Sequence, residues 1–141
     1  LENLQSGDGS ILTVSLCKQL TSLRSICFCP ARSKRGATMT GLTEEQERAL
    51  QLLTSLEYLK FLHLPNLPSL PANLASLTSL NWLRIGDCPR ITRLPEMGLP
   101  PSLMQLDVRD CSEELHMQCR MAETEKLAVC INGDMALFTW D

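Results

Sequence analysis

The stretch Leu77–Pro95, LTSLNWLRIGDCPRITRLP, constrains this chain more than any other. Its apolar residues fall at Leu77, Leu80, Leu83, Ile85, Cys88, Ile91 and Leu94. That pattern is neither the spacing of a helix, about 3.6 residues, nor the sustained alternation of a strand. Only Leu83-x-Ile85 alternates, so a short strand is flanked by turns of chain whose leucines all point inward. One such coil cannot bury its own apolar edge and needs neighbours stacked against it. The chain supplies them. Leu53, Leu56, Leu59, Phe61, Leu64, Leu67, Leu70 and Pro71 repeat the frame 24 residues earlier, with an apolar residue at every equivalent position. Leu103, Leu106, Val108 and Cys111 repeat it 23 residues later, before Glu114 breaks the pattern where Ile91 had stood. A further copy, Leu20, Leu23, Ile26 and Phe28, precedes these by a longer interval.

These positions follow the leucine-rich-repeat template L-x-x-L-x-x-L-x-L-x-x-N/C-x-x-L. The expected fold is α/β: a short leucine-rich-repeat solenoid with a parallel concave sheet, an irregular or 3₁₀ convex side, one inserted helix and a C-terminal helical cap. Residues 1–19 are expected to form a partial N-terminal repeat or edge, residues 20–115 the repeats, and residues 116–141 the cap and tail.

Within the first segment, the alternation of ILTVSL from Ile11 to Leu16 predicts a strand. ARSKRGATMTG, from Ala31 to Gly41, reads as an exposed basic loop. Thr43 then sits at a helix N-cap, with Gln46 as its capping-box partner and Glu44, Glu45 and Glu47 near the positive helix end. This helix is expected to reach about Leu53 and to turn Leu42, Ala49, Leu50 and Leu53 inward, so loop and helix at 31–53 form a convex insertion. Prolines in Leu70-Pro71 and Leu94-Pro95 can neither donate to a ladder nor continue a helix, so the far side of each coil is predicted extended or 3₁₀. Glu113 to Lys126 is rich in helix formers, with Leu115, Cys119, Ala122 and Leu127 sharing a face. Asn132-Gly133-Asp134 predicts a tight hairpin-like turn between two apolar runs.

Charge and cysteine usage exclude several classes. A net charge of -3 over 141 residues gives no field drawing the chain to nucleic acid or acidic lipid. The basic cluster Arg32, Lys34 and Arg35 lacks interleaved aromatics and reads as a solvated loop, so no nucleic-acid partner is expected. No apolar run is long enough to span a membrane. Seven scattered cysteines, an odd number without framework spacing, point to reduced thiols in a cytoplasmic setting. None of Asn3, Asn66, Asn73, Asn81 or Asn132 heads a glycosylation acceptor, which agrees with that location.

Catalysis requires a nucleophile, a base and a stabiliser that converge, and little here offers them, so no enzyme is expected. His63 and His116 are the two histidines. Cys27-Phe28-Cys29 and His116-Met117-Gln118-Cys119 echo metal-ligand spacing, but neither has a matching second pair, and no metal site is expected. Cys88 and Cys111 share an inward turn position in successive coils, where a thiol packs as a small hydrophobe.

Recognition is better supported. Aligning the coils puts Ser25, Tyr58, Trp82 and Gln105 in one outward column, Cys27, Lys60, Arg84 and Asp107 in a second, and Cys29, Leu62, Gly86 and Arg109 in a third. Tyr58 beside Trp82 forms an aromatic pair of the kind enriched in binding hot spots. Arg84 is expected to reach Asp107 across one strand spacing as an exposed pair worth about 0–1 kcal/mol, while Lys60 has no acid in its column. The candidate protein-binding face comprises Tyr58, Lys60, His63, Trp82, Arg84, Asp87, Gln105, Asp107 and Arg109.

LTSLNWLRIGDCPRITRLP, GLTEEQERALQLLTSLEYLKF and GLPPSLMQLDVRDCSEELHMQCR together resemble the C-terminal repeats of grass-type plant nucleotide-binding leucine-rich-repeat disease-resistance proteins. The Cys88-Pro89 step, the Leu-Pro endings, the GLPPSL link and the spacing of Cys111, Leu115 and Cys119 carry the resemblance, which covers roughly Leu20 to Lys126. It implies a non-enzymatic module that senses a pathogen effector and contacts the receptor's own nucleotide-binding domain in autoinhibition. ADP or ATP would be bound by that domain; no G-x-x-x-x-G-K-[ST] occurs here, so no cofactor is expected in this chain. A leucine-rich-repeat substrate-recognition region of an F-box-type ubiquitin ligase adaptor is the alternative. An extracellular receptor ectodomain ranks third, lacking its glycosylation acceptors and L-x-G-x-I-P endings.

Overall fold

A computed structural model of the chain describes residues 3–6, 13–29, 41–132 and 134–135. The basic loop with Arg32, Lys34 and Arg35, and the tail beyond Met135, lie outside the described residues. The fold is α/β, with few helices and a single sheet whose strands follow chain order: β1 (Asn3–Ser6), β2 (Ser25–Phe28), β3 (Tyr58–Leu62), β4 (Trp82–Gly86), β5 (Gln105–Arg109), β6 (Ala128–Ile131) and β7 (Asp134–Met135). Every pairing from β1 to β6 is parallel; β7 turns back antiparallel on β6.

Registry follows the sequence repeat. Ile26, Leu59, Leu83, Leu106 and Val129 line up in one row, and Phe28, Phe61, Ile85, Val108 and Ile131 in the next. These residues form the spine of the buried core, and the rings of Phe28 and Phe61 stack with centroids 5.3 Å apart. Leu23, Leu56, Leu80 and Leu103 fill the turn before each strand, and Leu64, Cys88 and Ile91 the turn after it. Burying such a side chain contributes about 1.5–3 kcal/mol, offset by the cost of ordering the chain around it.

The strand ends repeat as well. The carbonyl of Arg24 accepts the N–H groups of Glu57 and Tyr58, that of Glu57 accepts those of Asn81 and Trp82, and that of Asn81 accepts those of Met104 and Gln105. At the other end the chain turns through a left-handed residue each time: His63, Asp87, Asp110 and Asn132, with φ of 56°, 51°, 50° and 53°. Asn and Asp tolerate this conformation best among residues with a side chain, and His shares that enrichment.

The connections differ from expectation in four places. Val14–Gln19 is a helix, α1, and not a strand. Thr13 caps it by accepting the Leu16 N–H at 3.1 Å, and Cys17 turns into the core, so the local cap and burial override the alternating pattern. A strand forms earlier instead, at Asn3–Ser6. Helix α2 (Glu44–Gln51) has the predicted capping box at Thr43 and Gln46 and buries Ala49 and Leu50, but ends before Leu53. Helix α3 (Glu113–Met121) starts at Ser112 and stops at Ala122, well short of Lys126. Leu127 is buried from the extended chain that follows and not from the helix face. That chain becomes β6, one more parallel strand in the segment assigned to cap and tail, and it pairs antiparallel with β7, in keeping with the hairpin-like reading of this stretch.

A 3₁₀ turn at Leu74–Ser76 follows Pro71, as the Leu-Pro step predicts. None of the seven cysteines is in a disulfide. Cys88 is buried with its Sγ 3.3 Å from the Gly86 carbonyl and 3.5 Å from that of Phe61, and Cys111 repeats the contact with Ile85 one strand on. Among the described residues, no helix is long and apolar enough to cross a membrane.

Candidate functional site

Residues that alternate with the buried rows project from the open face of the sheet. Tyr58 pairs in register with Trp82 and Trp82 with Gln105; Lys60 pairs with Arg84 and Arg84 with Asp107; Leu62 pairs with Gly86 and Gly86 with Arg109. The columns expected from the sequence are therefore present across β3, β4 and β5, and Ser25 and Cys27 of β2 join the first two; Cys29 lies past the end of β2 and outside the paired register. A Cβ at Gly86 would lie 3.0 Å from Leu62 Cδ2, so a larger residue there would require the Leu62 side chain to shift by a few tenths of an ångström.

Asp107 organises this face. Its carboxylate accepts Trp82 Nε1 at 2.7 Å, Gln105 Nε2 at 3.0 Å and Arg84 Nη2 at 3.4 Å, and it is only 8 % exposed. The Arg84–Asp107 contact was expected to be an exposed ion pair; it is instead one arm of a half-buried node with three donors. Hydrogen bonds to a charged group contribute more than neutral ones, about 1.5–3 kcal/mol each where water is excluded. The Arg84 guanidinium also lies over the Trp82 ring, 5.1 Å from its centroid, as a cation–π contact. Tyr58 meets Trp82 edge to face with centroids 5.7 Å apart. Trp82 is thereby held by three neighbours: Tyr58 packed edge to face with it, Arg84 over its ring and Asp107 at its indole nitrogen.

The remaining candidates divide. Lys60 stands beside Arg84 in the second column. Burial pushes the Cys27 thiol up, as does neighbouring Cys29, while the Lys60 ammonium acts against both. Arg109 is exposed at the end of β5. His63 and Asp87 lie past the strand ends, on the rim and not on the columns, where His63 Nδ1 meets Asp87 Oδ2 at 3.1 Å. At the opposite rim, Arg24 pairs with Glu57, whose carboxyl that bond holds below its ordinary range, and Glu57 also accepts Asn81 Nδ2. The sequence reading missed the bond from Trp82 to Asp107. The signal was present, since Trp82 and Asp107 sit diagonally on adjacent strands, within reach of a long aromatic side chain.

Among the described residues, no three His, Cys, Asp or Glu side chains form a group able to hold a metal ion. His116 Nε2 accepts the Cys111 N–H at 3.3 Å, and burial raises the Cys88 and Cys119 thiols to about 12, leaving both protonated at neutral pH. A hollow of about 430 Å³ behind the sheet is lined chiefly by Leu94, Pro95, Leu99, Pro100 and Leu127 and converges no acid and base.

Compared with family models, curated proteins and solved structures, the chain matches none of them.

Proposed function

We propose that this chain is a protein-recognition module, a short leucine-rich-repeat solenoid that grips its partner on the wall around Tyr58, Lys60, Trp82, Arg84 and Arg109. The observation that carries this reading is the fixing of Trp82 by Asp107, Arg84 and Tyr58. A large aromatic and a guanidinium already immobilised lose little freedom on binding, which is what makes such residues effective anchors. The repeat register supports the solenoid, and the absence of a convergent acid–base pair on the wall favours binding over turnover.

The resemblance to plant disease-resistance repeats gives the module its context: a cytoplasmic immune receptor in which it senses an effector and holds the nucleotide-binding domain at rest. ADP or ATP belongs in that reading to the other domain, and this chain takes no cofactor. Extending the reading frame upstream tests it. A P-loop there supports the receptor, whereas an F-box would replace it with the ligase adaptor. If a P-loop domain is found, it is expected to bind this chain in a titration. Trp82→Ala should weaken that binding about tenfold or more while leaving far-UV circular dichroism unchanged. Unchanged affinity in the variant overturns the assignment of the wall.

A further inference from the structure

The charges on this wall are not balanced, although the chain as a whole carries a net charge of -3. Lys60, Arg84, Asp107 and Arg109 are the charged residues that β3, β4 and β5 project from the open face. Asp107 is almost fully covered, and both its oxygens are engaged by Trp82, Arg84 and Gln105. A partner therefore meets the three cations and not the acid between them. Among the described residues, neither Lys60 nor Arg109 has an acid within ion-pair distance, and Arg84 uses one guanidinium nitrogen on Asp107.

Strand geometry fixes how these cations are spaced. Lys60 and Arg84 lie one strand apart, about 4.8 Å at the backbone. Arg109 lies one strand on from Arg84 and two residues along, about 8 Å away at an angle to the Lys60–Arg84 row. In an extended peptide, side chains on one face recur at roughly 6.8 Å, the rise of two residues. Two carboxylates two residues apart can thus engage Arg84 and either neighbouring cation, with an apolar or aromatic neighbour resting on Trp82 and Tyr58.

The geometry points to an extended acidic polypeptide segment as the occupant of this wall, bound through carboxylates on Lys60, Arg84 and Arg109 around the Trp82 anchor. This inference rests on the recognition role proposed above. One rim argues against the other polyanion that an aromatic, basic surface suits. Asp87 and Asp110 are exposed beyond one end of the strands. A continuous phosphate backbone crossing the wall would meet acid there, whereas a peptide with a few placed carboxylates need not.

Selection of random dodecapeptides displayed on phage, with the whole chain as bait, tests the inference. Enriched peptides are then synthesised and titrated against wild type, Lys60→Gln/Arg109→Gln and Trp82→Ala, each checked by circular dichroism, with oligothymidine titrated alongside. The first variant leaves the Asp107 node intact. Enrichment of acidic residues two apart beside an apolar one is expected, with affinity about tenfold or more weaker for the charge variant and no oligothymidine binding. Enriched peptides without acids, or equal affinity for the charge variant, would overturn the inference; if Trp82→Ala still abolishes their binding, the recognition role stands alone. Peptides indifferent to Trp82→Ala, or no enrichment at all, overturn both. Binding of oligothymidine that is lost in the charge variant overturns the peptide in favour of nucleic acid.

Discussion

Replacing Asp107 with alanine removes the acceptor that Trp82, Arg84 and Gln105 share. Three donors then lose a common partner in a half-buried setting, and the expected cost is about 1–3 kcal/mol in urea denaturation, since the donors can turn partly to solvent. In a Trp140→Phe background, where Trp82 is the remaining tryptophan, its emission should shift to the red as the ring loosens. An unchanged spectrum and midpoint would mean that Tyr58 and Arg84 alone hold the ring. How much of this site was legible follows from the same residues. Side chains alternate across a strand, so the buried Leu83 and Ile85 locate Trp82 and Arg84 on the other face, and the repeat locates Gln105 and Asp107 beside them. The alignment could not supply the direction of each polar group. Whether Asp107 turns to Arg84 in its own row or to Trp82 on the diagonal depends on rotamers, and those are set by neighbours the sequence leaves unplaced.

Element by element, the strands were legible and the connections less so, because a strand in this sheet is marked by residues that recur while a connection is defined once. Cap chemistry worked where it was local: Thr43 and Gln46 announce α2, and Thr13 announces α1 only if it is weighed above the alternation that follows it. The last rung was missed because α3 replaces its extended turns, so the leucine spacing lapses at Glu114 and resumes only with Val129 and Ile131 in β6. The inner face of α3 carries a pH dependence of its own. Burial raises the Cys119 thiol to about 12 from an ordinary value of 9.0. Below pH 9 both the folded and the unfolded chain hold this proton, so it contributes no pH dependence. As pH rises from 9 towards 12 the unfolded chain releases it while the folded one retains it, and stability falls. At pH 10 that loss approaches about 1 kcal/mol relative to pH 8. Cys119→Val, of similar volume, should lose less between those two pH values in guanidinium titrations than wild type does. Equal losses would place the titration elsewhere.

At the scale of the whole molecule, each strand pairs only with its neighbours in sequence, and the buried residues form one continuous core along that order. The two edges of the stack differ. At the C-terminal edge, β7 folds back and occupies part of the hydrogen-bonding row of β6, whereas β1 is the outermost described strand at the other edge. A charge buried in a middle rung must break the stack in two, while one in a terminal rung removes only that rung. Leu83, fully buried between β3 and β5, is the middle case, and Val129 in β6 the terminal one. Leu83→Asp is expected to abolish the far-UV circular dichroism of the folded chain. Val129→Asp should retain most of it, with amide hydrogen exchange accelerated in β6 and α3 and unchanged in β3. In the wild-type chain the same measurement should find slower exchange at Leu83 than at Ile26, one strand from the N-terminal edge. A harmless Leu83→Asp would disprove the stacked register itself. Equal protection at Leu83 and Ile26 would mean instead that the rungs unfold as a single unit, and a partner gripping β3, β4 and β5 would then stabilise every rung and not only the three it covers.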